Sequence, residues 1–302
     1  MKKRLCAILC VLMMVLVMIP AQAFADPGDE KFTDSTLDLQ FKTIKNVNAG
    51  IQVTWTANAN AAKYHLEYCE DETDNWIHVD VTGRTSYTIP KSKLTSGKDY
   101  EIRIYGEKNG VYGLSGREDE GIDYLAAPVI SKTKNLNAGT QITWSAVPGA
   151  YTYSVMYKKS GGSWMTYATG ITGTTYTMPK SALTSGTKYL YTVRAVGDDP
   201  DDISGYTSGK AQTYLKAPTV SSIAGTSSGV KVSWGKVTGA KTYIVMYKVS
   251  GGSWQTAKTG ITGTSYTVPK SLLKSGKTYY FTVKAKGAAT SGYTSGKSIK
   301  VK

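Results

Sequence analysis

Ile51-Gln52-Val53-Thr54-Trp55, Gln141-Ile142-Thr143-Trp144 and Lys231-Val232-Ser233-Trp234 are three versions of one short apolar run closed by tryptophan. The closing residues lie 89 (144 − 55) and 90 (234 − 144) positions apart. A second tryptophan follows in each copy, at Trp76, Trp164 and Trp254, so all six tryptophans are repeat positions. A period near ninety residues is too long for a solenoid unit, which cannot bury a core alone, and is the size of an independent domain.

Working outward from these runs, apolar residues alternate with polar ones. In the third copy Tyr243, Val245 and Tyr247 alternate with Ile244, Met246 and Lys248; Tyr279, Phe281, Val283 and Ala285 alternate with Tyr280, Thr282, Lys284 and Lys286. A strand sends successive side chains to opposite faces, so the former set of each pair lines a core and the latter faces outward. Ser160-Gly161-Gly162-Ser163 and Ser250-Gly251-Gly252-Ser253 read as hairpin connections. Pro90, Pro179 and Pro269 each end a Tyr-Thr-apolar run, where a missing backbone donor is tolerated. The expected fold is all-β: three tandem immunoglobulin-like antiparallel sandwiches of about seven strands each.

One constellation narrows the fold. Leu94, Leu183 and Leu273 each precede a Ser-Gly turn, and Tyr100, Tyr189 and Tyr279 follow six residues later. A leucine, a turn and a tyrosine bonding back to the backbone make a tyrosine corner. With the strand-closing tryptophan and no disulfide, the pattern resembles the fibronectin type III family over residues 39–302. The resemblance implies a seven-stranded sandwich serving as a spacer or binding surface. Ser-Gly where that family commonly has Pro-Gly, and a composition rich in Thr, Tyr and Lys, are similar to its bacterial extracellular branch.

The boundaries follow. Lys2, Lys3 and Arg4, the apolar run Leu5–Ile19, Pro20 and Ala23-Phe24-Ala25 read as a signal peptide over 1–25. Its 15 apolar residues fall short of the roughly 20 that span a bilayer. Residues 26–38 read as a disordered lead-in, and the modules occupy 39–127, 128–217 and 218–302. Tyr124-Leu125-Ala126-Ala127-Pro128 and Tyr214-Leu215-Lys216-Ala217-Pro218 are short, glycine-free junctions, so a stiff rod on the order of 100 Å is expected. The expected location is secreted, with any wall association non-covalent. After signal removal Cys69 is the lone cysteine, expected as an incidental surface thiol.

Little here points to catalysis. His65 and His78 are the chain's two histidines. On neighbouring strands they could lie close across the sheet and hold a metal, which is not the expectation because both equivalents are missing from the sister modules. Gly225-Thr226-Ser227-Ser228-Gly229 matches a serine-hydrolase elbow in letters only, since it joins two strands in a module without histidine. Ser271-Leu272-Leu273-Lys274 has the Ser-x-x-Lys spacing but uses its leucine in the tyrosine corner. The expectation is no enzyme, no cofactor and no metal. Glu70–Asp74 and Asp198–Asp202 lack the spacing that organises six or more oxygens around calcium, and read as solvated acidic tips.

Charge is the informative remainder. Residues 26–127 hold 11 Lys/Arg and 18 Asp/Glu, net −7; residues 128–217 hold 9 and 4, net +5; residues 218–302 hold 13 and none, net +13. Lys248, Lys258, Lys284, Lys286, Lys300 and Lys302 are the candidate polyanion-binding residues, on a face shared with Trp254. Trp76, Trp164 and Trp254 are candidate sugar platforms, the alternative being packing on the outer sheet, against Met156 and Met246 in the later copies. The leading reading is a non-catalytic surface or matrix protein retained on anionic wall polymers or glycans through its last module. The alternatives are a neutral-carbohydrate accessory module, a spacer, or a subunit of a surface assembly. Other surface proteins and head-to-tail self-association are further partners; nucleic acid is not expected.

Overall fold

In a computed structural model the described residues are 34–113, 116–117 and 121–302. The signal peptide, most of the lead-in and residues 118–120 lie outside them.

The chain is all-β, in antiparallel sheets. The first sandwich sets β1 (Phe41–Val47), β2 (Gly50–Trp55) and β5 (Ser86–Pro90) against β3 (Lys63–Glu70), β4 (Ile77–Asp80) and β6 (Lys98–Lys108). Three short pieces, β7 (Val111–Tyr112), β8 (Gly116–Arg117) and β9 (Ile122–Tyr124), pair along β6 in place of one last strand. The second sandwich has β10 (Ile130–Asn135), β11 (Gly139–Trp144) and β14 (Thr175–Pro179) facing β12 (Thr152–Lys159), β13 (Met165–Ile171), β15 (Lys188–Val196) and β16 (Lys210–Thr213). The third repeats it, with β17 (Val220–Thr226), β18 (Gly229–Trp234) and β21 (Ser265–Pro269) facing β19 (Thr242–Val249), β20 (Gln255–Ile261), β22 (Thr278–Lys286) and β23 (Lys297–Lys300).

Period-two alternation builds one core per sandwich. Trp55, Trp144 and Trp234 are buried between the sheets with the inward residues of β3, β12 and β19. An aromatic side chain buries about 150–250 Å². At about 25 cal/mol per Å² that contributes roughly 4–6 kcal/mol per tryptophan, which suits a module lacking a disulfide. The backbone N–H groups of Thr95, Thr184 and Lys274 donate to the hydroxyls of Tyr100, Tyr189 and Tyr279 at 2.8, 3.0 and 3.0 Å. A second tyrosine pins the opposite end of each sandwich: Asn58, Val147 and Val237 donate their N–H to Tyr64, Tyr153 and Tyr243 at 2.9 Å.

The lead-in differs from its sequence reading. From Asp34 it is folded: Asp34 caps a 3₁₀ turn, Ser35–Leu37, and Leu37 is buried. The apolar content is low, but Leu39 joins the first core, Leu37 is buried with its backbone beside Gly106 and Gly113, and Asn58 holds the Thr36 and Asp38 carbonyls.

The junctions are closed on two sides. On one, Ser96 Oγ accepts the Ala126 N–H (3.0 Å) and donates to the Pro148 carbonyl (2.9 Å). Ser185 does the same with Lys216 (3.1 Å) and Thr238 (2.8 Å). Gly149 and Gly239 have φ near +81° and +85°, and a Cβ on either would lie 2.5 Å from the Cα of Gly97 or Gly186. Backbone thus rests on backbone. On the other side Gly205 packs on Val47–Asn48 and Gly292 on Leu136–Asn137, the first turns of the preceding modules. Asn135 spans that side, donating to Thr213 in its own module and Thr290 in the next, at 2.9 and 3.3 Å.

Gly239→Ala combines a positive φ with a backbone clash, and is expected to cost about 1–3 kcal/mol. Gly276→Ala, at φ +79° with open space around it, keeps only the φ penalty. Chemical denaturation of the two variants checks the difference; equal losses would mean the junction contributes nothing.

Candidate functional site: the outer face of the four-stranded sheet

Strand parity sends Lys248 of β19 and Tyr280, Lys284 and Lys286 of β22 to one outer face. Trp254, just before β20, and Tyr293, in the loop after β22, lie over the same face. The Lys248 ammonium sits 5.2 Å from the Trp254 ring centroid and 5.6 Å from Tyr280; Lys284 sits 4.9 Å from Tyr293. Trp254 and Tyr293 meet edge to face at 5.7 Å. The result is a continuous line in the order Tyr280, Lys248, Trp254, Tyr293, Lys284. Each cation–ring contact stabilises by about 0.5–1 kcal/mol at an exposed site, with the lysine stems covering ring surface.

The second module carries the same line: Lys158 over Trp164 at 4.9 Å, Trp164 against Tyr206 at 6.1 Å, and Arg194 over Tyr206 at 4.6 Å. In the first, Arg103 covers Trp76 at 3.7 Å, and Trp76 Nε1 donates to Asp74 at 3.0 Å. All three candidate tryptophans are half-buried, each with a cation on its ring.

The six candidate lysines do not form one patch. Lys248 and Lys284 are half-buried in the line, and Lys286 lies exposed one step beyond. Lys258 is exposed on β20, opposite Val245. Lys300 and Lys302 border a groove of 530 Å³ at the far end of the module, with Lys270 and the turn Gly225–Gly229.

Sequence reading missed Tyr280, Tyr293 and Lys134. A signal for Tyr293 was present: Ser-Gly-Tyr-Thr-Ser-Gly-Lys occurs at 204–210 and again at 291–297. Ser204 and Ser291 are buried, accept the N–H of Ala195 and Ala285 at 2.8 Å, and fix the loop. The following glycine meets the preceding module, and the tyrosine takes a cation and a tryptophan. The lysine ends on a backbone carbonyl of the opposite sheet, Lys210 on Ser131 and Lys297 on Ser221, both at 2.6 Å.

The first module's outer face is a closed polar network. His65 Nδ1 and His78 Nε2 are 3.2 Å apart, His65 Nε2 is 2.9 Å from Glu107, His78 Nδ1 is 3.3 Å from Glu67, and Tyr105 donates to Glu67 at 2.7 Å. Lys63 bonds Glu107 at 3.2 Å. His65 points outward by parity yet is buried under Tyr105 and Tyr112, with ring centroids at 5.2 and 6.1 Å. Burial holds its pKa below the ordinary histidine value despite Glu107. Cys69 is likewise no surface thiol: it is buried on β3, and burial, then Glu101, pushes the thiol up to about 11.

In the acidic stretch 198–202 Asp198, Asp199 and Asp201 are exposed, as a solvated tip would be, and Asp202 alone is half-buried, beside Asp123 of the preceding module. Carboxylate oxygens of Asp123, Asp198 and Asp202 lie within 4.8 Å of one another. Burial, then Asp123 and the neighbouring aspartates, push Asp202 up to about 6.

Residues 35–118 match the family model of the fibronectin type III domain. A mouse protein, Fibronectin type III domain-containing protein 7, is 27% identical over 259 residues, covering 85% of this chain and 33% of that protein. The chain therefore spans about a third of that relative's length. Among solved structures, the chicken CNTN1 FN1-FN3 domains show 18% identity and a TM-score of 0.31, over 88% of this chain and 99% of that one. The chicken interferon gamma receptor alpha chain shows 13% and 0.33, over 58% and 98%. No helix among the described residues is long and apolar enough to cross a membrane.

Two pH effects of opposite sign follow. Asp202 is more basic folded than unfolded, so its cost is full above about pH 6 and is relieved as pH falls toward the unfolded value. Asp202→Asn should therefore raise the melting temperature at pH 7.5 and leave it unchanged near pH 4. His65 is harder to protonate folded than unfolded, so stability is lost as pH falls below about 6.5. In the Asp202→Asn background, melting between pH 7 and 5 should show that loss; a flat profile would remove His65 from the account.

Proposed function

We propose that this chain is an extracellular, non-catalytic binding protein that holds anionic polymers on the outer sheet face of its third module. The carrying observation is the line Tyr280, Lys248, Trp254, Tyr293, Lys284, in a module with 13 lysines and no Asp or Glu. Rings hold the lysine stems in place, so less side-chain entropy is lost when an anion binds. The ammonium groups remain point charges with free donors, suited to phosphate or carboxylate groups spaced along a flexible polymer. A sugar ring of the same polymer would find partly exposed aromatic surface between them.

Acidic wall polymers and anionic surface glycans are the substrate class that fits this chemistry and a secreted location. The first module, net −7, is oriented by the same reading away from the polymer.

The test is retention of the full chain on acidic wall material across a salt series, beside the triple variant Lys248→Gln, Lys284→Gln, Lys286→Gln. The expected result is binding at low salt, release by about 1 M, where the Debye length is near 3 Å, and loss in the triple variant. Salt-insensitive retention abolished by Trp254→Ala would replace this reading with neutral-glycan binding. Retention unchanged in the triple variant would overturn it.

A further inference from the structure

The second junction forms an open crevice of 340 Å³ between the first turn of module two and the outer face of module three. Lys134, Asn135 and Asn137 come from one side, and Lys284, Gly292 and Tyr293 from the other. We infer that this crevice is an anion subsite, taking one phosphate or carboxylate group of an anionic polymer between Lys134 and Lys284.

Lys134 sits at the end of β10, and Lys284 projects from β22 of the following module. Only the junction brings them together. Gly292 lies flat on Leu136–Asn137, and the Asn135 amide spans both modules, so the crevice has fixed walls. No carboxylate lines it, and among the described residues neither lysine has an ion-pair partner. Burial, then the Lys134 charge, hold Lys284 below the ordinary lysine pKa. Two like charges facing one crevice without a counter-charge are an unfavourable arrangement that a bound anion relieves. Asn137 also lines it, and Tyr293 is a ring wall continuous with Trp254. The volume is at the low end of small-ligand pockets, roughly 300–1,000 Å³, and suits one anionic sugar or phosphodiester unit.

The first junction supplies a contrast. Its corresponding positions are Lys45, Arg194 and Tyr206, with Lys45 opposite Gln52 as Lys134 is opposite Gln141. There the neighbouring loop brings Asp198 and Asp202 against Asp123, a carboxylate cluster that opposes anion entry. The loop of the third module, Gly287-Ala288-Ala289-Thr290, has no acid.

The subsite rests on the reading of module three as an anion-binding module, and it extends the polymer path back across the junction. Calorimetric titration of the full chain with inorganic phosphate, polyphosphate and polygalacturonate tests it, using Lys134→Gln, Lys284→Gln and, as a control outside the crevice and off the sheet-face line, Lys277→Gln. Lys134 and Lys277 are exposed, so neither substitution disturbs a core. The expected result is that Lys134→Gln and Lys284→Gln each weaken polymer binding about tenfold, the lower range for a hydrogen bond to a charged group, while Lys277→Gln changes it far less. Inorganic phosphate competing with both polymers supports one shared anion site. Polymer binding that Lys134→Gln leaves unchanged overturns the subsite and leaves the sheet-face reading standing. Phosphate binding that depends on Lys134, without polymer retention, keeps an anion site at the junction but overturns both its place on a polymer path and the sheet-face reading. No binding of any probe overturns both.

Discussion

Backbone resting on backbone, at Gly97 with Gly149 and at Gly186 with Gly239, is the constraint from which the arrangement of the modules follows. Two backbone segments this close leave no room for a side chain, so the hinge has little freedom to rotate. The serine beside each glycine holds the linker N–H and the facing carbonyl together. With that edge closed, the loop before each last strand must land on the first turn of the module before it. The electrostatic features that cross between modules depend on that landing: Asp202 meets Asp123 at one junction, and Lys284 meets Lys134 at the other.

The sandwiches themselves were legible because their signals are local. Alternation of period two fixes which side chains face inward, and a tryptophan and a tyrosine corner at constant spacing fix the pairing of sheets. What covers an outward face is not local. His65 and Cys69 are outward by parity, and both are buried by residues that parity on β3 cannot reveal. Asp202 reads as loop-tip acid until the preceding module is placed against it. Ser96 and Ser185 read as a variant of a common turn, and only the folded junction shows why serine is useful there. The heptapeptide at 204–210 and 291–297 was visible as letters, yet its first serine, first glycine, tyrosine and lysine each answer to a different partner outside the heptapeptide.

A cation over a tryptophan recurs in all three modules and the longer cation–aromatic line in the last two, which fits a structural role whatever else it does. A row of rings on an exposed sheet needs cover, and long basic side chains give it without burying the charged head. What changes along the chain is the setting. In the first module Arg103 lies over Trp76 but 3.8 Å from Glu101, with Glu67 and Glu107 bound into the histidine network nearby. Its cations are answered internally. In the third module no acid exists to answer them.

In the function proposed above, that difference is what makes a packing device a binding surface. Thirteen lysines on a module with no carboxylate repel one another, and the repulsion is greatest where burial reduces screening, which is where Lys284 sits. Small counter-ions relieve it only by giving up their own freedom one at a time. A polymer that carries its anions in a row gives up that freedom once for many contacts, and sets many counter-ions free as it binds. The geometry that keeps the rings covered and the modules in register therefore also holds the positive charge in a fixed line, which suits a polyanion better than separate ions.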